Sequence, residues 1–384
     1  KIYLDLNRKR MTKKIGFDAT SVTQKHDGGK NQFVLNLLRG FEKNGVADQL
    51  VVFCVSDMEE DILKLAPHAV TVPVTSNKEP HQGIISYWVR TFVLPGYLHR
   101  HHIGVFLFPA FATGLRRYPV PTVVVPHDIQ SQTNQERFKV ITRLLDGFCY
   151  HYDFKLRDRI VAISDFDKDE IVTTYPSHRD KVIRIYNPIF TDLFTSAGTY
   201  KADKPYITAV NIQFTHKNTI TLIKAFDEIK NIIPHDLYLI GNTIAETEYL
   251  VPYVREHGLG DRILFKGFLK DVELAEILKG SALYVNPSFF EGFGMTAVEA
   301  MLAGVPVLAS RVAAVPEVTM GLCDYYAPPD DVTVLAEAMK KILLEQGSPD
   351  INHFKMISDK MDGRYNHVQI SKQYYDLLMS LISN

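Results

Sequence analysis

Short apolar runs alternate along the chain with longer segments in which apolar residues recur every three or four positions. The short runs predict strands, the longer segments predict helices, and their alternation indicates parallel sheets with helices on both faces. In the first half, the predicted strands begin near Ile15, Leu50, Val105, Thr122, Ile160 and Val182. In the second half, they are Tyr206–Val210 and residues 237–240, 263–265, 283–285 and 305–308.

Two helices have clear limits in the sequence. Gly28-Gly29 precedes the first, and Asn44-Gly45 is a typical stop for it. The last helix is predicted at 370–382, after a break at Asp362-Gly363. We expect this C-terminal segment, residues 366–384, to pack back on the N-terminal domain.

The chain is long enough for two domains. Its 384 residues exceed the roughly 250–300 at which a single core stops growing. The pattern pauses in a polar stretch between Pro188 and Pro205, which predicts an interdomain linker. We therefore expect domains at residues 11–188 and 189–365. Two doubly wound domains in tandem place a cleft beside the carboxyl ends of their strands.

Composition excludes several classes of protein. A net charge of −1 gives no global field to attract nucleic acid. Cys54, Cys149 and Cys323 lie far apart, so they form no disulfide framework or zinc signature and suit a reducing compartment. No apolar run approaches the ~18 residues that span a bilayer. Residues 1–10 lack a signal peptide's apolar core and Met11 reads as a natural start, so we expect a foreign leader and a cytoplasmic protein.

The most informative segment is residues 287–306, P-S-F-F-E-G-F-G-M-T-A-V-E-A-M-L-A-G-V-P. An apolar strand runs into a turn that contains Glu291, Gly292 and Gly294, and a helix is predicted over Met295–Leu302. Free amides and a partial positive charge at such a helix start bind anions such as diphosphates. The glycines let the backbone approach the ligand without interference from a Cβ atom.

Two glutamates flank this helix start. Glu299 lies about 7.5 Å along the helix axis from Gly294, so its carboxylate could reach a ribose hydroxyl while phosphates occupy the helix start. Glu291, in the turn, could accept hydrogen bonds from sugar hydroxyls. One strand–turn–helix unit could therefore hold both ends of a nucleotide sugar. The alternative is structural, with Glu291 as a helix cap and Glu299 as a solvated acid.

The pattern E-G-F-G-x-x-x-x-E at 291–299, followed by A-G-V-P-V, resembles the two-glutamate signature of family 4 glycosyltransferases. Other segments resemble the same family in order: V-P-H-D-I-Q at 125–130, V-A-I-S-D-F at 161–166, I-Y-N-P at 185–188, H-K-N at 216–218 and F-K-G-F at 265–268. The chain is identified as a member of this family. The resemblance implies an α/β protein of GT-B architecture, with two Rossmann-like doubly wound domains facing across a cleft. It also implies a retaining, metal-independent hexosyltransferase without a cofactor.

The resemblance implies three catalytic residues. Lys217 matches the family's diphosphate-binding lysine, His127 matches the histidine that contacts the donor sugar, and Glu291 is the first signature glutamate. Many relatives carry an arginine five residues before the lysine, where this chain has Ile212. The negative charge on the leaving group would then be neutralised by Lys217 and the helix amides alone, or by these together with another cation.

The same resemblance implies the remaining donor-binding residues. Gly28 and Gly29 match the glycine pair of the family's first loop, although a simple helix-start loop is the alternative. Asn187 matches an interdomain asparagine, or only forms a turn. Phe268 and Leu269 lie where relatives hold the nucleobase through backbone groups. In the signature itself, the donor-binding residues are Gly292, Phe293, Gly294, Met295 and Glu299.

Two further features carry alternatives. Asp165-Phe166-Asp167 spells the DxD metal motif, but it follows Ser164 at a helix start, so we expect N-capping and no metal site. Two basic, aromatic segments, 97–102 and 137–159, either contact an anionic membrane peripherally, at its inner face, or place their aromatic rings in the core.

The expected reaction moves a hexosyl or deoxyhexosyl group, by analogy mannose or rhamnose, from a nucleoside-diphosphate sugar. The acceptor is a saccharide or lipid-linked glycan, in the synthesis of surface polysaccharide or glycoconjugate, and nucleic acid is not a partner. The family implies a front-face route in which the departing phosphate helps to deprotonate the acceptor. The alternative is a non-catalytic relative that binds nucleotide sugar beside another transferase. A nicotinamide-dependent oxidoreductase is disfavoured because no G-x-G-x-x-G follows the first strand.

Overall fold

A computed structural model of the chain describes residues 13–23, 28–75, 87–244, 247–345 and 350–382. The expected leader and Met11 lie outside these residues. The chain divides into two compact units. The first unit consists of the described residues up to Pro188 together with the segment from His367 onward. The second unit is Ile189–Asn366.

The first unit is a parallel sheet with helices on its faces. Its described strands lie side by side in the order β3-β2-β1-β4-β5-β6-β7. From β1, the sheet grows through β2 and β3 on one side and through β4 to β7 on the other. These strands are β1 (Lys14–Ala19), β2 (Leu50–Val55), β3 (Val70–Thr75), β4 (Ile103–Phe108), β5 (Thr122–Val124), β6 (Arg159–Ala162) and β7 (Val182–Arg184). Its helices up to this point are α1 (Gly29–Lys43), α2 (Glu59–Leu65), α3 (Leu94–Arg100), α4 (Gln130–Thr133), α5 (Val140–Leu156) and α6 (Asp165–Thr174).

The predicted strand positions of this unit are confirmed, with one omission. Strands β2 and β4 are buried throughout, as expected of central strands between two helical layers. The omitted strand is β3, at the edge of the sheet, with Pro73 in its interior. Proline is tolerated at an edge because one side of the strand needs no partner, yet in a sequence it argues against a strand.

The second unit is also a parallel sheet, in the order β10-β9-β8-β11-β12-β13 among its described strands. The strands are β8 (Tyr206–Val210), β9 (Asp236–Ile240), β10 (Ile263–Gly267), β11 (Leu283–Asn286), β12 (Val307–Ser310) and β13 (Asp324–Tyr326). The helices are α7 (Thr191–Ser196), α8 (Thr219–Ile229), α9 (Leu250–Glu256), α10 (Asp271–Lys279), α11 (Met295–Leu302), α12 (Val315–Val318), α13 (Val332–Glu345) and α14 (Ile351–Tyr365).

The core of the second unit joins its strands to α8. Leu222 and Phe226 of α8 pack with Leu237 and Leu239 of β9 in one buried cluster. The predicted strands are found, and β13 is an edge strand that the pattern omits. Only one of its three residues is buried, so it lacks the apolar run by which strands are recognised.

The polar stretch after Pro188, which the sequence predicts as an interdomain linker, belongs to the second unit. It contains α7, whose Thr191 and Phe194 are buried within the second unit. Ile189 donates its N–H to the carbonyl of Tyr365 at 2.8 Å. The polar composition therefore coincides with the start of the second unit. The segment is nevertheless ordered, because its buried side chains pack within that unit.

The break before the last helix is also misplaced in the prediction. Helix α14 runs through Gly363, and the chain turns at Asn366 before α15 (His367–Ile382). A glycine inside a helix costs only ~1 kcal/mol, and buried Tyr365 on the same turn offsets that cost. Helix α15 packs on α1, where the side-chain amide of Asn44 donates to the carbonyl of Val368 at 2.8 Å. None of the described helices has the length and hydropathy needed to cross a membrane.

Candidate active site

The strongest candidate site lies where the strand order of the second sheet reverses. From β8, the sheet grows through β9 on one side and through β11 on the other. Ligands of open α/β sheets bind at such switch points, outside the carboxyl ends of the strands. Lys217 follows the carboxyl end of β8, and Glu291 follows that of β11. The fold thus brings together two residues that the sequence separates widely.

Lys217 and Glu291 form an ion pair. The Nζ of Lys217 lies 2.7 Å from the Oε1 of Glu291, which also accepts a hydrogen bond from the hydroxyl of Ser288 at 2.7 Å. The side chains are 15% and 8% exposed, so the pair is shielded but open at one edge. Burial pushes the pKa of Glu291 up, but the charges of Lys217 and His216 and the hydrogen bonds outweigh it, so the pKa is lowered. Glu291 is therefore a carboxylate at neutral pH.

Backbone and amide contacts hold the loops of this pair together. Asn218 has a left-handed backbone, with φ 53°, that ends the turn containing Lys217 and begins α8. Its side-chain amide donates to the carbonyl of Pro287 at 3.1 Å. The N–H of Phe289 donates to the carbonyl of His216 at 2.8 Å. The lysine and the glutamate are therefore positioned by a braced frame of two loops.

The start of α11 stands beside Glu291. Gly294 adopts φ 89°, a left-handed conformation that favours glycine, and carries the chain from the turn into the helix. The first intrahelical donor is the N–H of Ala297, which bonds to the carbonyl of Gly294 at 3.1 Å. The amides of Met295 and Thr296 precede it and lie at the positive end of the helix. Since Phe293 packs its ring on Tyr365 at 5.4 Å between centroids, it offers a ligand only its backbone.

Glu299 is in a different electrostatic state. It is 9% exposed, and its carboxyl group makes no hydrogen bond to any residue that the structure describes. Burial, together with the charge of Asp271, raises its pKa to about 8, against a smaller opposing effect of Lys217. The solvated helix-face acid is therefore not what the structure shows. A buried carboxyl without a protein partner is available for the hydroxyls of a ligand.

One residue beside these glutamates was not anticipated from the sequence. Tyr284 of β11 is buried close to both glutamates, whose charges add to burial in raising its pKa, and it bonds to Thr296. An aromatic residue within an apolar strand carries no signal for this. Ile212, which replaces the family's arginine, is fully buried among the core residues of the second unit. That position therefore supplies no cation here.

The loop predicted to hold the nucleobase lies at the end of β10. Gly267 has φ 64°, and its carbonyl accepts the N–H of Gly241 at 2.8 Å. The N–H of Phe268 donates to the side-chain oxygen of Asn242 at 3.2 Å. Phe268 is 51% exposed, and Leu269 packs in a small cluster behind it. An exposed ring on a braced loop can stack on a planar base.

In the first unit, the helix that follows the Gly28-Gly29 pair contacts His127. Gly28 caps α1 and Gly29 is its first residue, and Phe33 of that helix meets the His127 ring edge-on at 4.7 Å. His127 follows β5 with a left-handed backbone, φ 72°, and its Nε2 lies 2.8 Å from the carbonyl oxygen of Pro109. Burial, and then the charge of Lys30, lower the pKa of His127 to about 3. The imidazole is neutral, so its Nε2–H donates to Pro109.

Asn187 closes the first unit. Its side chain is buried, and its amide oxygen has no hydrogen-bond donor among the described residues. The next carbonyl, of Pro188, accepts from Asn36 at 3.0 Å. A buried oxygen without a donor is unusual and is available to an external hydrogen-bond donor.

A buried ion pair in the first unit escaped the sequence reasoning. Asp18 at the end of β1 accepts from the Nε of Arg90 at 2.6 Å, and both side chains are nearly inaccessible. Arg90 also donates to the carbonyl of Ala112, which follows β4. The pair therefore lies at the switch point of this sheet, between β1 and β4. Its signal in the sequence is a lone aspartate inside an apolar strand.

The DxD sequence begins α6, as predicted. The hydroxyl of Ser164 accepts the N–H of Asp167 at 3.0 Å, and Asp167 in turn accepts the N–H of Ile163 at 3.0 Å. Asp165 pairs with Arg184 at 3.2 Å. Each carboxylate therefore has a partner at or near the start of α6. In the part of the chain that the structure describes, no group of three His, Cys, Asp or Glu side chains is placed to hold a metal ion.

Two family models match consecutive parts of this chain. The model of glycosyl transferases group 1 matches residues 195–357. The model of glycosyltransferase family 4 matches residues 27–193. Between them they account for most of the chain and for both units.

Known relatives and structures agree with these models. The serotype-specific mannosyltransferase WbdA of Escherichia coli is 27% identical over 59% of this chain, which spans only 30% of the length of that relative. The O-antigen chain mannosyltransferase RfbU of Salmonella typhimurium is 27% identical over 77% of this chain and 82% of its own. The structure of Anabaena HepE with UDP-glucose superimposes with a TM-score of 0.71 at 19% identity, covering 96% of this chain and 100% of HepE. That last likeness shows a shared fold.

Proposed function

The chain belongs to the group 1 glycosyltransferases and has a GT-B fold of two Rossmann-like domains, and from this premise we propose that it transfers a hexosyl group from a nucleoside-diphosphate sugar. The single observation that carries the proposal is the Lys217–Glu291 pair at the switch point of the second sheet, beside the start of α11. A cation, a carboxylate and a helix start in neighbouring loops support the binding of one ligand that carries both phosphate and hydroxyl groups.

The lysine and the helix start suit the leaving group. As the glycosidic bond breaks, negative charge grows on the diphosphate. The ammonium of Lys217 and the amides of Met295 and Thr296 bind that charge more strongly in the transition state than in the bound donor, which is the condition for acceleration. No metal is needed for this neutralisation, so we propose a metal-independent enzyme.

The two glutamates suit the two ends of the donor. The ionised Glu291 accepts hydrogen bonds from sugar hydroxyls and orients the sugar for reaction. Glu299 accepts hydrogen bonds from the ribose hydroxyls, for which its unpartnered carboxyl group is available. We propose transfer with retention by a front-face route, in which the departing phosphate takes the acceptor's proton. Neutral His127 contacts the donor sugar, and Asn187 and the Gly28-Gly29 loop contribute donor contacts from the first unit.

The identity of the sugar and acceptor is proposed from relatives. WbdA and RfbU are both mannosyltransferases, and RfbU acts on an O-antigen chain. Mannose is therefore the first sugar to test, with rhamnose second, and a saccharide or lipid-linked glycan of a surface polysaccharide is the proposed acceptor. HepE binds UDP-glucose, so the uridine nucleotide is included in the search for the base.

The test begins with the nucleotide and proceeds to the reaction. Thermal unfolding is measured with UDP, GDP, dTDP and ADP, where a ligand at ~100 times its Kd stabilises by about 2.7 kcal/mol. The sugar conjugates of the stabilising base are then assayed for slow hydrolysis and for transfer to glycan acceptors. Lys217→Met should abolish both, while Lys224→Met, on the exposed face of α8, should not. If a nucleotide binds tightly but no donor is hydrolysed or transferred, the result would instead favour the alternative of a non-catalytic relative that binds nucleotide sugar beside another transferase.

A further inference from the structure

The outer face of α5 is apolar and exposed. Val140, Ile141, Leu144, Leu145 and Phe148 are 65%, 60%, 65%, 59% and 47% exposed. Their spacing places them on one side of the helix over more than two turns. Single exposed apolar residues need no explanation, but five on one contiguous face indicate an interaction surface. We call these five residues the α5 face.

The opposite side of α5 anchors the helix in the first unit. Tyr150 and Phe154 are buried in the core. The carboxylate of Asp153 accepts the N–H groups of Ala112 at 2.7 Å and Thr113 at 3.0 Å. The helix therefore stays in place when residues of the α5 face are changed. The face itself contributes little to the fold, so its apolar character has to be explained otherwise.

A second exposed aromatic pair stands near α5. Trp88 and Phe92 are 56% and 61% exposed, with ring centroids 5.8 Å apart. The neighbouring Tyr87 lies close to Cys149 and Tyr152 of α5, near enough to interact electrostatically with both. Tryptophan at such a place suits the boundary between water and lipid, because its ring is apolar with one polar edge.

Basic side chains accompany the apolar ones. Arg137 and Lys139 are exposed just before α5, beside the exposed acid Glu136, and the helix itself carries the half-buried Asp146. Lys155 is exposed near the other end of the helix, on the same side as the apolar residues. A helix with an apolar face and flanking Lys and Arg residues lies in the plane of a bilayer that contains anionic lipids. Exposed basic residues at both ends of an apolar face favour an anionic lipid surface over an uncharged protein surface.

We propose that the α5 face docks the first unit on an anionic lipid bilayer, with the apolar side chains in the boundary layer and Arg137, Lys139 and Lys155 on the headgroups. This inference does not depend on the transferase activity. Each basic residue near an anionic surface contributes roughly fivefold to binding, so the surface distinguishes anionic from neutral lipid.

The test is co-sedimentation of the whole chain with vesicles. One set contains phosphatidylcholine alone, and the other also contains phosphatidylglycerol. The apolar variant is Leu144→Gln/Leu145→Gln/Phe148→Gln, and the charge variant is Lys139→Gln/Lys155→Gln. The matched control is Ile232→Gln/Val272→Gln, which changes equally exposed apolar residues in the second unit. Thermal unfolding and sedimentation velocity are measured for each.

We expect the parent and the control to bind anionic vesicles at least tenfold more strongly than neutral ones, and high salt to weaken this binding. The apolar variant should lose more than tenfold in affinity for the anionic vesicles and the charge variant roughly 25-fold, with unchanged midpoints of thermal unfolding. Equal binding by the apolar variant and the parent would overturn the proposal. The proposal would also be overturned if the parent did not bind anionic vesicles and instead formed a dimer that the apolar variant cannot form. The α5 face would then be assigned to a second copy of the chain.

Discussion

The ammonium group of Lys217 lies 2.7 Å from the Oε1 of Glu291, joining the loops that follow β8 and β11. The pair connects the proposed phosphate and sugar ends of the donor. It also makes the two residues interdependent, because each charge is poorly solvated without the other. Experiments on either residue therefore have to separate stability from ligand binding.

Replacing Lys217 should damage stability and affinity by separable routes. Lys217→Met leaves the buried carboxylate of Glu291 without its cation, so we expect the free energy of unfolding to fall by roughly 3 kcal/mol. Lys217→Met/Glu291→Gln should recover most of that loss, because no buried charge remains unpaired. Affinity for the nucleoside diphosphate should drop more than tenfold in both variants. Urea unfolding and calorimetric titration measure the two quantities, with Lys224→Met as control.

Equal affinity of Lys217→Met and the parent would remove Lys217 from the phosphate site. A double variant as unstable as Lys217→Met would show instead that the lysine's loss acts through packing.

The two signature glutamates should divide their roles between nucleotide and sugar. Glu299→Gln should weaken binding of the bare nucleoside diphosphate, since a hydrogen bond to a charged group contributes roughly 1.5–3 kcal/mol. Glu291→Gln should leave that affinity within about threefold and depress turnover of the full donor instead. Calorimetry is best done above pH 8, where Glu299 is ionised. If Glu291→Gln loses the bare diphosphate as severely as Glu299→Gln, the proposed geometry is wrong.

The raised pKa of Glu299 predicts how stability depends on pH. Its folded-state pKa is about 8, against an ordinary 4.5, so its contribution to stability is complete below pH 4.5 and is lost as the pH rises through 8. Glu299→Gln has no such titration. Between pH 5 and pH 8, we expect the parent to lose roughly 3–4 kcal/mol relative to the variant, by denaturant unfolding without ligand. Parallel pH profiles of the two proteins would show that the carboxyl group is ionised throughout.

His127 should behave in the opposite sense at acid pH. Its folded-state pKa is about 3, below the ordinary 6.5, so its contribution is present above pH 6.5 and is lost as the pH falls towards 3. In His127→Asn, asparagine tolerates the left-handed backbone and has no group that titrates in this range. From pH 6.5 to 4, the parent should lose roughly 3 kcal/mol relative to this variant.

Activity gives an independent check on the same residue. Because the imidazole stays neutral, the rate of the parent should show no step between pH 5 and 8 that His127→Asn abolishes. A step of that kind would mean that the histidine ionises in the complex with the donor.

Chelation should leave activity largely intact. Asp165 pairs with Arg184, and Asp167 accepts the backbone N–H of Ile163, just before α6. EDTA treatment followed by rate measurement, with and without added magnesium or manganese, provides the test. A rate that falls with EDTA and returns with either metal would show that a metal takes part in the reaction.

Local features of the site were readable from the chain. The apolar strand at 283–285, the turn containing Gly294 and the helix Met295–Leu302 each depend on neighbours a few residues away, so spacing and residue type sufficed. The same holds for the stop of α1, where Gly45 adopts φ 68°, and for Ser164 at the start of α6. The roles proposed for the site residues remain predictions.

By itself, the sequence determined the alternation of strands and helices, the two parallel sheets and the strand–turn–helix unit that carries the glutamates, because periodicity and turn chemistry are local properties. Tertiary structure alone decided that Lys217 meets Glu291, that Glu299 is desolvated and unpartnered, and that the apolar residues of α5 face outward. Pairing, burial and pKa depend on which distant segments pack together. The local sequence does not determine which distant segments pack together, because the same spacing of apolar residues occurs on a buried helix face and on an exposed one.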